Sequence, residues 1–168
     1  SDNLHSLTSV NDGNYHLITV TRDQATGEKK IYVDGQFEAS EISTTEPLNG
    51  NNYNLTIGGE GYILETTSTV TNYSSYKGLL DDVQIYTGVL SAAEVASQFT
   101  NPGATIPDVA GNSASGLVAH YDFDEGTTLA ADVSGNGNNI MVAGNIDDYD
   151  GDNPVISNDT ISGAGSNG

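Results

Sequence analysis

The sequence predicts an all-β protein, an antiparallel β-sandwich with one short helix. Three observations support this: apolar residues recur at every second position in several short segments, Gly-rich turns punctuate those segments, and a single stretch carries helical spacing with a capping signal. Many short strands separated by such turns suit a sandwich or jelly roll better than any α/β arrangement.

The first strand is expected in YHLITVTRD, where Ile18 and Val20 share one face and Tyr15 and Leu17 the other, a pattern for a strand covered on both sides. A turn follows at Gln24 to Gly27. In KKIYVDGQFEAS, Ile31 and Val33 alternate up to Asp34-Gly35, with Phe37 and Ala39 beyond it. An Asp-Gly pair between alternating segments marks a tight hairpin, because a primed turn needs positive φ at both central residues. YNLTIGG, with Tyr53, Leu55 and Ile57, and LLDDVQIY, with Leu79, Val83 and Ile85, predict two further strands. Between them, GGEGYILETTSTVTNYSSYKG reads as a long loop of the kind that carries function. In SAAEVASQF, Ser91 and Glu94 have capping-box spacing and Val95 and Phe99 lie four apart, which predicts the helix. Strand signals resume at GLVAHYDFDEG, with Leu117, Ala119, Tyr121 and Phe123 on one face.

Charge narrows the possible partners. Four Lys and Arg face 23 Asp and Glu, giving a net charge of −19. A field of that sign repels nucleic acid and anionic membranes and attracts divalent cations. All the basic residues (Arg22, Lys29, Lys30 and Lys77) precede residue 80, so the second half must find cations or remain solvated. With no cysteine, stability must come from an apolar core, a metal, or both. No apolar run is long enough to span a bilayer, and the opening SDNLHSLTSV has no signal-peptide pattern, so an export signal would lie upstream.

Four segments, DGNYHLITVTRD, KKIYVDGQ, LLDDVQIY and VLSAAEVASQF, occur in the order in which similar motifs close a laminin-G-like, concanavalin A-like jelly-roll domain. The chain resembles that family, with one departure: Tyr15 stands where the family usually has Trp. The segment from Gly116 to Asn139 is similar to the family's opening strand, yet here it follows the closing helix. The resemblance therefore divides the chain into 1–100 as the C-terminal part of one jelly roll, 101–115 as a linker holding Pro102 and Pro107, and 116–168 as the N-terminal part of a second. A permuted single domain, in which the last segment completes the first, is the alternative.

Several carboxylates are candidate calcium ligands. Counting by twos puts Asp81 on the apolar face of LLDDVQIY, where an unpaired carboxylate is costly. In the superfamily an acidic residue on this strand and one near the opening strand hold calcium, which nominates Asp81 with Asp124 or Glu125; the other reading is an Asp at a strand kink, hydrogen-bonded to backbone. Asp132, Ser134, Asn136 and Asn138 alternate oxygen side chains as in half of a calcium loop, or equally as in an Asx-rich turn. No bidentate Glu follows, so an EF-hand is excluded. Asp148, Asp150 and Asp152 form the densest acidic cluster, read either as a metal site or as a solvated loop. Tyr62, Tyr73 and Tyr76 in the long loop could offer aromatic faces to sugar rings, or could pack the loop onto the body.

Catalysis finds little support. The paired-carboxylate spacing of the superfamily's glycosidases, E-x-D-x-x-E, is absent, and His16 and His120 read as structural histidines within strands. The expectation is a non-catalytic, calcium-stabilised module of a secreted or cell-surface bacterial protein, binding an extracellular glycan or protein and adjoining neighbouring repeats. The alternatives are a spacer repeat of a large adhesin and an accessory domain of a polysaccharide-degrading enzyme.

Overall fold

A computed structural model describes residues 4–48, 57–64, 69–106, 116–124 and 129–141. Among these, β1 (Ile18–Arg22), β2 (Glu28–Val33) and β3 (Gln36–Ile42) form an antiparallel three-stranded sheet. The remaining strands pair antiparallel two by two: β4 (Gly59–Leu64) with β5 (Thr69–Ser75), β6 (Val83–Thr87) with β7 (Gly116–Tyr121), and β8 (Leu129–Ala130) with β9 (Ile140–Met141). One helix, α1 (Ala92–Thr100), separates β6 from β7.

The hairpin β2–β3 turns where the Asp-Gly pair predicts. Asp34 and Gly35 have φ of +50° and +76°, and Val33 pairs directly with Gln36. Gly35 is required twice, because a β-carbon there would lie 3.0 Å from the Phe99 β-carbon and 3.1 Å from the Ala96 α-carbon. Helix α1 starts as predicted: the Glu94 amide donates to Ser91 Oγ and the Ser91 amide donates to the Glu94 carboxylate, a complete capping box. Its inner face buries Val95 completely against Tyr32, Leu90 and Ile106, with Tyr86 packed alongside.

A second core joins residues that precede α1 to residues that follow it. Ala119, Tyr121 and Phe123 cluster with Ile57, Val83, Ile85 and Ile140. Val83 pairs with Tyr121 and Ile85 with Ala119, so the strand that follows the predicted linker is hydrogen-bonded to the one that precedes the helix. The linker segment itself begins docked, for Ile106 is buried in the first core and its amide donates to Tyr86 Oη at 3.0 Å.

Four expectations need correction. The long loop between Gly58 and Gly78 contains a hairpin, β4–β5, whose β-branched and aromatic residues pair across two strands, Tyr62 with Thr71 and Ile63 with Val70. The strand predicted from Leu79 begins only at Val83, because Asp82 takes a left-handed φ of +50° and interrupts the alternation. On β1, Ile18 and Val20 are exposed (44 % and 62 %) while Thr21 is buried, so among the described residues this strand is covered on one face only. His16 lies just before β1 rather than within it. Most of the predicted strand YNLTIGG lies outside the described residues.

Candidate functional site

Where β6 begins and β7 ends, four carboxylates and one histidine gather. Asp82, in its left-handed conformation, places Oδ1 3.2 Å from His120 Nε2. Glycine at residue 103 leaves room beside this carboxylate, since a β-carbon there would lie 3.3 Å from Asp82 Oδ1. The Asp82 amide donates to Asp81 Oδ1 at 3.0 Å. Burial first, and the neighbouring charges of Asp82, Asp124 and Asp122 after it, push the Asp81 carboxyl from its ordinary 3.8 up to about 6, against that one amide bond.

Just beyond β7, Phe123 has a φ of +52°, a strained conformation for a bulky residue. The kink turns its ring into the core beside Tyr121, with ring centroids 6.4 Å apart. Flanking it, Asp124 is exposed, while Asp122 keeps one oxygen, Oδ1, buried with no hydrogen-bond partner among the described residues. A buried carboxylate oxygen without a donor is costly, and three further carboxylates nearby raise the cost. A cation would relieve it. Among the described residues, however, no three His, Asp or Glu side chains converge closely enough to hold a metal ion by themselves.

The loop from Asp132 to Asn139 is built differently. Asp132 is buried, and its Oδ1 accepts from the amides of His120 and Ser134, both at 3.0 Å, while Oδ2 accepts from the Asn138 amide at 2.9 Å. Hydrogen bonding, that from Ser134 above all, holds its carboxyl far below the usual range. Asn136 Nδ2 donates to the carbonyls of Leu117 and Val118, and Asn138 Nδ2 donates to Val118. These amides turn nitrogen toward the strand, and the carboxylate is already occupied by donors. This loop fits an Asx turn that fastens itself to β7 and does not fit a cation. Gly135 and Gly137, at φ of +86° and +78°, make the reversals.

The tyrosines expected on a loop fall on and beside the β4–β5 hairpin. Tyr62 lies on β4, and Tyr73 on β5 at the register shift that leaves it between Asn72 and Ser74. Tyr76 follows β5, is 57 % exposed, and fills with its ring the space a β-carbon on Gly78 would take. Glu125, Asp148, Asp150 and Asp152 lie outside the described residues.

Two pairings escape a residue-by-residue reading. The first is Asp82 with His120. The second is a clamp in which His16 Nδ1 meets Asp34 Oδ2 at 2.8 Å and Nε2 meets Asp12 Oδ1 at 3.1 Å, while the Leu17 amide donates to Asp34 Oδ1. The hydrogen bonds to Asp34 and Asp12 raise the His16 pKa, and those from Asn14 and His16 lower Asp12 to about 2. Asp82 with His120 and His16 with Asp34 lie well apart in sequence. The one available signal was that each histidine stands in a motif rich in Asp.

The sequence model of the Laminin G 3 family, described as the concanavalin A-like lectin/glucanases superfamily, matches residues 1–96. No curated protein matches. Among solved structures, the crystal structure of an S-layer domain-containing protein (residues 221–444) from Clostridium thermocellum ATCC 27405 is similar, with 23 % identity and a TM-score of 0.44. The similarity covers 56 % of this chain and 43 % of that one. No helix among the described residues is long and apolar enough to cross a membrane. With more than half of its length matched, and with antiparallel strands and one short helix in place, the chain belongs to the laminin G family of concanavalin A-like domains.

Proposed function

We propose that this chain is a non-catalytic binding module of a secreted or cell-surface protein, taking an extracellular glycan or protein as ligand and stabilised by calcium beside Asp81, on the side it shares with the unpartnered Asp122 oxygen. The observation that carries the binding reading is the family match over residues 1–96. Function in such a fold resides in its loops and edges, and the β4–β5 hairpin with exposed Tyr76 is the surface offered for a ligand.

For calcium, the support is the unpartnered Asp122 oxygen and the displaced Asp81 carboxyl. A hard cation there would supply the positive charge that these oxygens lack, with further oxygens from water or elsewhere completing its shell. The Asp132 loop takes no part. Titration calorimetry with calcium, and thermal melts with calcium or chelator, test this half. Calcium should raise the melting temperature of the native chain and leave that of Asp81→Asn unchanged. A melting temperature indifferent to calcium in the native chain would remove the metal from the proposal. A glycan array, repeated with Tyr76→Ala, tests the ligand half: binding lost in that variant supports the hairpin surface, and an array without hits sinks the sugar reading.

A further inference from the structure

We propose that the Asp132–Asn139 loop guards the outer edge of β7, and that Asn136 is a deamidation site whose conversion releases that guard. Among the described residues β7 pairs with β6 alone, so its other edge has no partner strand. The turn between β8 and β9 takes that place with its side chains and amides. The His120 amide donates to Asp132 Oδ1, and the His120 carbonyl accepts from the Val133 amide at 2.9 Å. The Val118 carbonyl accepts from Asn136 Nδ2 at 3.1 Å and from Asn138 Nδ2 at 2.8 Å, while the Leu117 carbonyl accepts from Asn136 Nδ2 at 2.7 Å. A loop that satisfies the backbone groups of an edge strand keeps other strands from pairing with them.

Asn136 is where this guard is chemically vulnerable. Its bonds to β7 are both made as a donor, through Nδ2, and the residue that follows it is Gly137. Both residues are exposed, and a β-carbon built on Gly137 would meet nothing within 4 Å. The Gly137 amide has no hydrogen-bond partner among the described residues. Its nitrogen is therefore unobstructed whenever the exposed turn opens and the Asn136 side chain leaves the strand.

The Gly137 nitrogen then attacks Asn136 Cγ, and the new N–Cγ bond closes a succinimide ring. The Cγ–Nδ2 bond breaks, and ammonia leaves with the proton given up by the Gly137 nitrogen. Water adds to either ring carbonyl and opens the ring to aspartate or isoaspartate. In both products a carboxylate, which only accepts hydrogen bonds, replaces the donor Nδ2. Facing the Leu117 and Val118 carbonyls, it cannot restore the lost bonds, so the release is one-way.

The test uses the full chain, aged in mildly alkaline buffer, digested and mapped by mass spectrometry. Mapping separates Asn136 from the other Asn-Gly pairs, Asn49–Gly50 and Asn167–Gly168, which lie outside the described residues. The Asn136 peptide should gain the mass of an amide-to-acid change, with isoaspartate among the products. Molecules converted at Asn136 are isolated by anion exchange through their added negative charge. Their His120 and Val133 amides should exchange hydrogen about tenfold faster than in unconverted molecules, as expected for losing bonds of ordinary strength. Asn136→Asp should show the same acceleration without ageing. An Asn136 that stays an amide in the folded chain, under conditions that convert it in urea, overturns the proposal. Converted molecules whose His120 and Val133 amides exchange as slowly as before overturn it equally. If Asn136→Asp fails to fold, the aged native chain decides alone, by the same comparison of converted with unconverted molecules.

Discussion

Asp34 and Gly35 show how much a single pair of residues can specify. Their positive φ angles close the β2–β3 turn, Asp34 receives His16 and the Leu17 amide, and Gly35 leaves room for α1. Gly35→Ala would have to hold φ at +76° with its β-carbon against Phe99 and Ala96, and should destabilise the chain by about 1 kcal/mol or more in urea denaturation. Two other residues set the response to pH. Asp81, with its folded pKa raised from 3.8 to about 6, gives stability that is complete below 3.8 and lost as pH rises through 6. His16, also raised, gives stability that is complete below its ordinary 6.5 and lost as pH climbs through its higher folded value. Both slopes have one sign. With chelator present, the urea midpoint should fall between pH 4 and pH 8, Asp81→Asn should flatten the lower part of that fall, and His16→Gln the upper part.

Among the elements, α1 was the most legible in the sequence, since its capping box and its buried Val95 sit where the Ser91, Glu94 and Val95 spacing puts them. Ser91→Ala should lower stability by about 1 kcal/mol in a thermal or urea melt. The β2–β3 hairpin was equally legible, because its turn chemistry is local. The β4–β5 hairpin was not, for the Gly, Thr and Ser within its strands imitate a loop, and only pairing across the two strands reveals it. The start of β6 was misplaced for a related reason: period-two counting cannot register that Asp82 leaves the extended region. The same blindness applies to the acidic corner. Asp81 and Asp124 could be singled out one at a time, whereas the orphaned oxygen of Asp122 and the Asp82–His120 contact exist only once β6 and β7 lie side by side. For the Asp132 loop, the alternation of oxygen side chains could not distinguish calcium from an Asx turn. The direction in which Asn136 and Asn138 point their amides makes that distinction.

Over the whole molecule, the feature that matters most is the junction of β6 with β7. It brings Asp81 and Asp82, which precede the helix, to His120 and Asp122, which follow the linker, and it builds the second core. The acidic corner and the second core both depend on that one antiparallel pair. Amide hydrogen exchange of the native chain at micromolar concentration tests it most directly. The amides of β6 and β7 that point toward the partner strand should be protected together, and to an extent comparable with those of β2. Exchange of these two strands at the rate of unstructured chain, while β2 remains protected, would contradict the account.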